Sequence, residues 1–143
     1  LVLCIDFYYL FEYQSISKSV YVSFFIGFIV YGSILEYAMH RYVYHGRIKS
    51  IKKLHLIHHQ YPRSYVASPP YITACIIVIL HVIFMGLLGY KTGCAFVAGI
   101  VLGYLWYITI HHLIHHIDSE HWNLLNHFKM EHQFHHEHAK VNY

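Results

Sequence analysis

Three apolar runs, each about long enough to cross a bilayer, limit what this chain can fold into more than any other feature. Val20–Leu35 carries no charge and continues through Glu36 to Met39, which gives about 20 residues, the length a helix needs to span the hydrocarbon. Tyr71–Leu88 is a second run, interrupted only by His81, and Gly93–Ile110 is a third without a charge. Only Gly89–Thr92 separates the last two, which predicts a tight helical hairpin. Leu1–Phe11 is too short to span alone and reads as the end of an earlier helix or an interfacial segment. Ser68-Pro69-Pro70 reads as a helix start, with Ser68 as cap and proline in the first turn. Gly99 and Gly103 suit a close approach of two helices, although ordinary small residues of a membrane helix read the same way.

Composition agrees with a lipid environment. Charged residues make up 12% of the 143 residues, where a soluble domain carries about 25%. Aromatics reach 18%, including 15 tyrosines, as suits a protein among headgroups and acyl chains. A formal charge of +3 is too small to argue for a nucleic-acid partner. Cys4, Cys75 and Cys94 are widely spaced in apolar runs and read as buried small residues. The chain, Leu1 to Tyr143, reads as one domain truncated at both ends. Asp6 and the lack of a basic start argue against a secretory signal. The expected fold is an all-α integral membrane protein with three to four transmembrane helices and a histidine-rich helical cap.

Counting crossings gives a topology. The first span emerges near Met39, and the hairpin leaves and returns to that side, so 40–68 and everything from His111 onward share one face. Arg41, Arg47, Lys49, Lys52, Lys53, Arg63, Lys129 and Lys140 fall on that face; Lys18 and Lys91 fall on the other. By the positive-inside rule the first face is cytoplasmic, at the plasma membrane of a bacterium or the endoplasmic reticulum of a eukaryote.

Sixteen histidines in this chain demand a chemical explanation, and eleven of them fall into four groups on that one face. His40 and His45 stand five apart. His55, His58 and His59 form H-x-x-H-H. His111, His115 and His116 form H-x-x-x-H-H, and His132, His135 and His136 form a second H-x-x-H-H. Positions i, i+3 and i+4 of a helix share a face, so each H-x-x-H-H is expected to aim three imidazoles at one place. Two octahedral ions offer about twelve positions, and neutral imidazole suits iron, zinc and copper. Lone histidines are ordinarily packed or solvated, which is the reading for His81, His121, His127 and His138; His112 lies inside a group but off its spacing. Neither H-E-x-x-H nor a glycine-rich phosphate loop is present, so zinc-protease and nucleotide chemistry find no support.

The stretches His40-Arg41-Tyr42-Val43-Tyr44-His45-Gly46, Leu54 to Pro62, Ser68-Pro69-Pro70, Tyr107 to His116 and His132 to His136 resemble the fatty acid hydroxylase / sterol desaturase superfamily. The resemblance covers roughly Glu36 to Tyr143 and is nearest the fatty acid 2-hydroxylase type, in which a tyrosine precedes H-x-x-x-H-H and a proline pair follows the second box. It implies a membrane helical fold with a cytosolic cap holding two iron ions, or zinc after exchange. It also implies O2-dependent hydroxylation of a lipid acyl chain, with two electrons drawn from NAD(P)H through a separate carrier such as cytochrome b5 or ferredoxin. The ligands it implies are His40, His45, His55, His58, His59, His111, His115, His116, His132, His135 and His136. No catalytic side chain is expected beyond them.

The chemistry points the same way without the family. Cleaving an unactivated C–H bond is beyond amino-acid side chains, so a cofactor must do it. Soluble bundle di-iron proteins rely on glutamates, whereas here only Glu36, Asp118, Glu120, Glu131 and Glu137 stand near the histidines. Glu36, four residues before His40, is the candidate to orient that ring, with an ordinary interfacial charge as the plainer reading. Tyr104, Trp106 and Tyr107 read as an aromatic belt or the rim of a lipid entrance. Alternatives are a sterol or carotenoid oxygenase or desaturase with similar boxes and, outside enzymes, a membrane metal transporter. A transporter should carry ligands at the bilayer midplane, where only His81 lies.

Overall fold

The computed structural model describes residues 17–64, 70–118 and 121–138. The expected cap at Ser68, the segment Leu1–Phe11 and Cys4 lie outside them. The described residues are helical with no strand, and three helices are long and apolar enough to cross a membrane, as expected. α1 is a continuous helical run, Lys18–Tyr44. α2 is Lys49–Gln60, α3 is Pro70–Leu88, α4 is Tyr90–His116 and α5 is Asn123–Glu137. They form two compact units, one of residues 17–35 and 70–105, the other of residues 36–64, 106–118 and 121–138.

In the first unit α3 buries none of its residues, and Val82 and Leu87 remain 67% and 72% exposed. A helix apolar on all sides is stable only where the surrounding solvent is itself apolar, so this exposure is a lipid-facing surface. Cys75 accordingly is exposed on α3, contrary to the expectation that it is buried, while Cys94 is buried on α4. The link between α3 and α4 shrinks to Gly89, whose φ of +79° is the left-handed conformation that glycine adopts without a Cβ penalty. The hairpin closes through Phe84 and Phe96, with ring centroids 4.4 Å apart.

α1 crosses α4 on glycines. A Cβ on Gly27 would strike the Phe96 carbonyl, one on Gly99 would lie 2.9 Å from the Phe28 nitrogen, and one on Gly103 would lie 2.8 Å from the Tyr31 Cβ. Close backbone approach is therefore the role of Gly99 and Gly103. Without a hydrophobic driving force between helices in lipid, such contact supplies the packing that holds a bundle together. Ser23 Oγ donates to the Thr92 carbonyl at 3.0 Å, and Tyr31 meets Tyr104 edge to face at 5.8 Å.

α1 is not a uniform α-helix. Lys18–Val30 and Glu36–Ala38 are α-helical, whereas Tyr31–Leu35 and Met39–Tyr44 are wound as π-helix. Ser33 Oγ donates to the Ile29 carbonyl at 2.7 Å, the kind of side-chain bond that loosens the regular ladder. The second π segment sets the geometry of the histidines in the other unit.

Candidate metal centre

The second unit has a core unlike that of a soluble domain. Among the described residues the largest fully buried side chains are His40, His132, His135 and Val97, and all three imidazoles belong to this unit. A buried polar ring is costly unless its nitrogens are satisfied.

The first histidine pair depends on the π winding. On an α-helix a residue five positions on lies about 140° around the axis and points away. In the π segment Met39–Tyr44 the backbone bonds run from i+5 to i, and the His45 N–H donates to the His40 carbonyl at 3.0 Å. The rings of His40 and His45 consequently stack, with centroids 5.1 Å apart and planes at 15°. The spacing of five was legible in the sequence, but its conversion into a common face was not.

The H-x-x-H-H boxes depart from the sequence expectation in an instructive way. Each lies on a regular α-helix, α2 for His55, His58 and His59 and α5 for His132, His135 and His136. Adjacent histidines on such a helix point about 100° apart, so the last two of each box cannot aim at one place. His40, His45, His55, His59 and His135 converge as one group, and His58, His111, His115 and His132 as a second. In α2 the i,i+4 pair His55 and His59 joins the first group and His58 the second. In α5 the preceding histidine, His135, crosses to the first group. His111 and His115, four apart near the end of α4, stay together in the second.

Within each group the inward atoms face one another. Nε2 of His135 lies 2.8 Å from Nε2 of His40 and 3.1 Å from Nε2 of His45. The chain continues from His45 to His55 at 2.9 Å and from His55 to His59 at 3.1 Å, Nε2 to Nε2. In the second group His58 and His111 present Nε2 atoms 3.0 Å apart, and Nε2 of His115 is buried with no hydrogen-bond partner. Ligands at right angles on an ion with bonds of about 2.1 Å are separated by about 3 Å, the spacing seen here. Clustered Nε2 atoms at that spacing are a donor set that fits metal ions.

His136 belongs to neither group by mutual proximity, yet its Nε2 is 2.8 Å from that of His132 and its ring stacks on His59 at 4.3 Å. His116 is set apart: its ring stacks on that of His112 at 4.1 Å, and its Nδ1 donates to the His112 carbonyl at 3.0 Å. Of the isolated histidines, His81 lies in the other unit against Cys94 Sγ at 3.6 Å. His121, His127 and His138 are exposed. Two contacts were not anticipated: Tyr44 stacks on His55 at 5.3 Å, and Tyr107 packs on His111 at 5.6 Å.

Burial favours the neutral form of six of the boxed rings. It pushes the His45 and His58 imidazoles down to about 4, from an ordinary value of 6.5, with His40 and His115 respectively as the leading neighbouring rings that add to the effect. Burial and the nearby His59 and His58 rings push the His136 imidazole down to about 3. His55, His59 and His132 are lowered too, again mainly by burial. Lone pairs are therefore available for metal at neutral pH without first releasing protons.

Glu36 Oε1 lies 3.3 Å from His40 Nδ1, and its side chain is 11% exposed. An Nδ1–H turned toward the carboxylate would leave Nε2 as the lone-pair atom facing His135. Glu36→Ala is expected to lower metal affinity by about 10–100-fold while the number of sites stays the same. A chelator-competition titration measures this, and unchanged affinity would show that Glu36 has no hold on the ring.

The family model for fatty acid hydroxylase matches residues 24–143, a range that contains all four histidine groups. The chain belongs to the fatty acid hydroxylase family. The resemblance to that superfamily read from the boxes is thereby borne out. Dihydroceramide fatty acyl 2-hydroxylase FAH2 of Arabidopsis thaliana is 33% identical over 92 residues, 59% of this chain and 39% of that protein. This hydroxylase-family chain thus spans about two-fifths of the length of that relative. No solved structure matches it significantly.

Proposed function

We propose that this chain carries the catalytic domain of a membrane lipid hydroxylase, and that its two imidazole groups each hold one iron ion. The observation that carries the reading is the convergence of nine imidazoles in sets of five and four, with ligand atoms within 4.8 Å of one another in each set and neighbouring Nε2 atoms of seven of them 2.8–3.1 Å apart. His136 completes the second set through its approach to His132. Ten imidazoles then leave a few of the roughly twelve positions on two octahedral ions open. His116, the eleventh boxed histidine, faces away and contributes by packing on His112.

When bound, the iron pair would supply the activation of O2 that no side chain can perform. Overall, a C–H bond, O2, two electrons and two protons become C–OH and water. The chain's own residues would hold the ions, and Glu36 would orient the His40 ring. The electrons come from NAD(P)H through a separate carrier of the cytochrome b5 or ferredoxin kind. The substrate is a lipid acyl chain, a reading supported by the family and by the relative's name. The family match runs through both compact units, which supports treating them as one functional domain. Transport loses its footing, because His81 belongs to neither imidazole group.

Detergent-purified protein, loaded anaerobically with iron, is expected to hold about two equivalents of metal, or of zinc if exchanged. Membranes from expressing cells should contain lipid with one added oxygen by mass spectrometry. A reproducible value of one equivalent or none would overturn the reading.

The histidine side is proposed to face the cytoplasm, on the crossing count and the basic bias of the sequence. Cysteines introduced at Lys52 and Lys129 should label from the same side of sealed vesicles, and one at Lys91 from the opposite side. Labelling of Lys52 and Lys129 from different sides would refute it.

A further inference from the structure

The second unit contains a cleft of about 400 Å³ that the metal groups do not account for. Its inner wall includes His115 and His132, both members of the second imidazole group. Its outer lining includes Arg63, Lys129, Gln133 and Asp118, so it offers two cations, an amide and one carboxylate. Arg63 is held in place, because its Nε–H donates to the His115 carbonyl at 3.3 Å near the end of α4. Lys129 is half-buried on α5. The volume suits the polar end of a small ligand.

We propose that this cleft binds the acyl carbonyl end of the substrate, with Lys129 and Arg63 as its anchors. The inference rests on the acyl-hydroxylase reading above. If the reaction is at C2, as the name of the relative suggests, the reacting carbon is one bond from the carbonyl. The polar end must then sit beside the metal ligands, and the apolar chain leads away from them. A cleft that is cationic at its rim and walled by second-group imidazoles meets that requirement. Regiochemistry follows from anchoring the carbonyl, with no need to measure the chain from its methyl end. A free carboxylate and an amide carbonyl share this recognition, and they differ in how strictly they need the positive charge.

The test is calorimetric binding of hexanoate and of N-methylhexanamide to zinc-loaded, detergent-purified full chain. Wild type is compared with Lys129→Gln and Lys129→Leu at equal metal content. A carboxylate site loses about tenfold or more in hexanoate affinity in both variants. An amide site loses N-methylhexanamide binding in Lys129→Leu and keeps it in Lys129→Gln, since glutamine still donates a hydrogen bond. Either pattern supports the proposal and identifies the kind of acyl end. Should Lys129→Leu fall short of wild-type metal content, Arg63→Leu takes its place in the comparison. Unchanged affinity for both probes in every variant, or no binding to wild type, overturns the cleft assignment. Two metal equivalents and hydroxylated lipid in wild type would then leave the parent reading standing, whereas their absence would remove that reading itself.

Discussion

His135→Ala is expected to reduce turnover at least about a hundredfold and to lower bound metal from two equivalents toward one. His135 is 1% exposed, and its Nε2 meets those of both His40 and His45. Its ring also lies 4.9 Å from that of His59. Truncation therefore opens a cavity at the centre of the first group and removes the imidazole that α5 places in it. His58→Ala should do the same to the second group from α2, because His58 approaches His111 and meets His115 and His136 edge to face, with centroids 4.9 and 5.0 Å away. His81→Ala and His116→Ala serve as the contrast, and each should retain two metals and most of its turnover. Metal analysis and lipid hydroxylation at equal membrane levels decide between these outcomes. Two full equivalents and normal turnover in both His135→Ala and His58→Ala would sink the assignment of the groups. Loss of metal in His116→Ala would return that residue to the ligand set that the sequence pattern implied.

The contrast between His135 and His116 shows what the sequence makes legible and where it stops. The membrane helices were readable because apolar length is a direct requirement of the bilayer, and α3 and α4 lie close to the predicted runs. The boxes were readable as helical because their spacings of three and four match the α-helix. Which group each ring joins was not, since that depends on how α2, α4 and α5 present their faces to one another. Adjacent rings such as His58 and His59 diverge by about 100° on their helix, and only the packing determines what each one meets. The spacing of His40 and His45 carried a hidden instruction, because five residues share a face only when the helix is wound as π. Glu36 was found from its i,i+4 relation to His40, a local rule that survives folding. The cleft of Arg63 and Lys129 had no sequence signal, since its walls come from segments far apart in the chain.

Acid is expected to destabilise the metal-free protein as the pH falls below about 6.5. His45, His55, His58, His59, His132 and His136 all bind protons less readily in the folded chain than in the unfolded one, chiefly because they are buried. As pH falls below the unperturbed value of about 6.5, the unfolded chain takes up protons that the folded chain refuses. Stability therefore falls with falling pH, and it continues to fall until the folded rings themselves titrate, near 4 for His45 and His58 and near 3 for His136. Solvent screening reduces the share of the half-exposed rings, so His55 and His132 carry the larger part. If the two groups hold metal as proposed, the ions would favour the neutral rings gathered in the folded form, so loading should shift the loss to lower pH. Thermal unfolding of detergent-solubilised protein, followed by circular dichroism from about pH 7 to about pH 5, measures both effects. The apo midpoint should drop steadily across that interval and the loaded midpoint much less. A flat apo profile would mean that the imidazoles are already solvated and protonated in the folded chain, and the buried, neutral donor set described here would not exist.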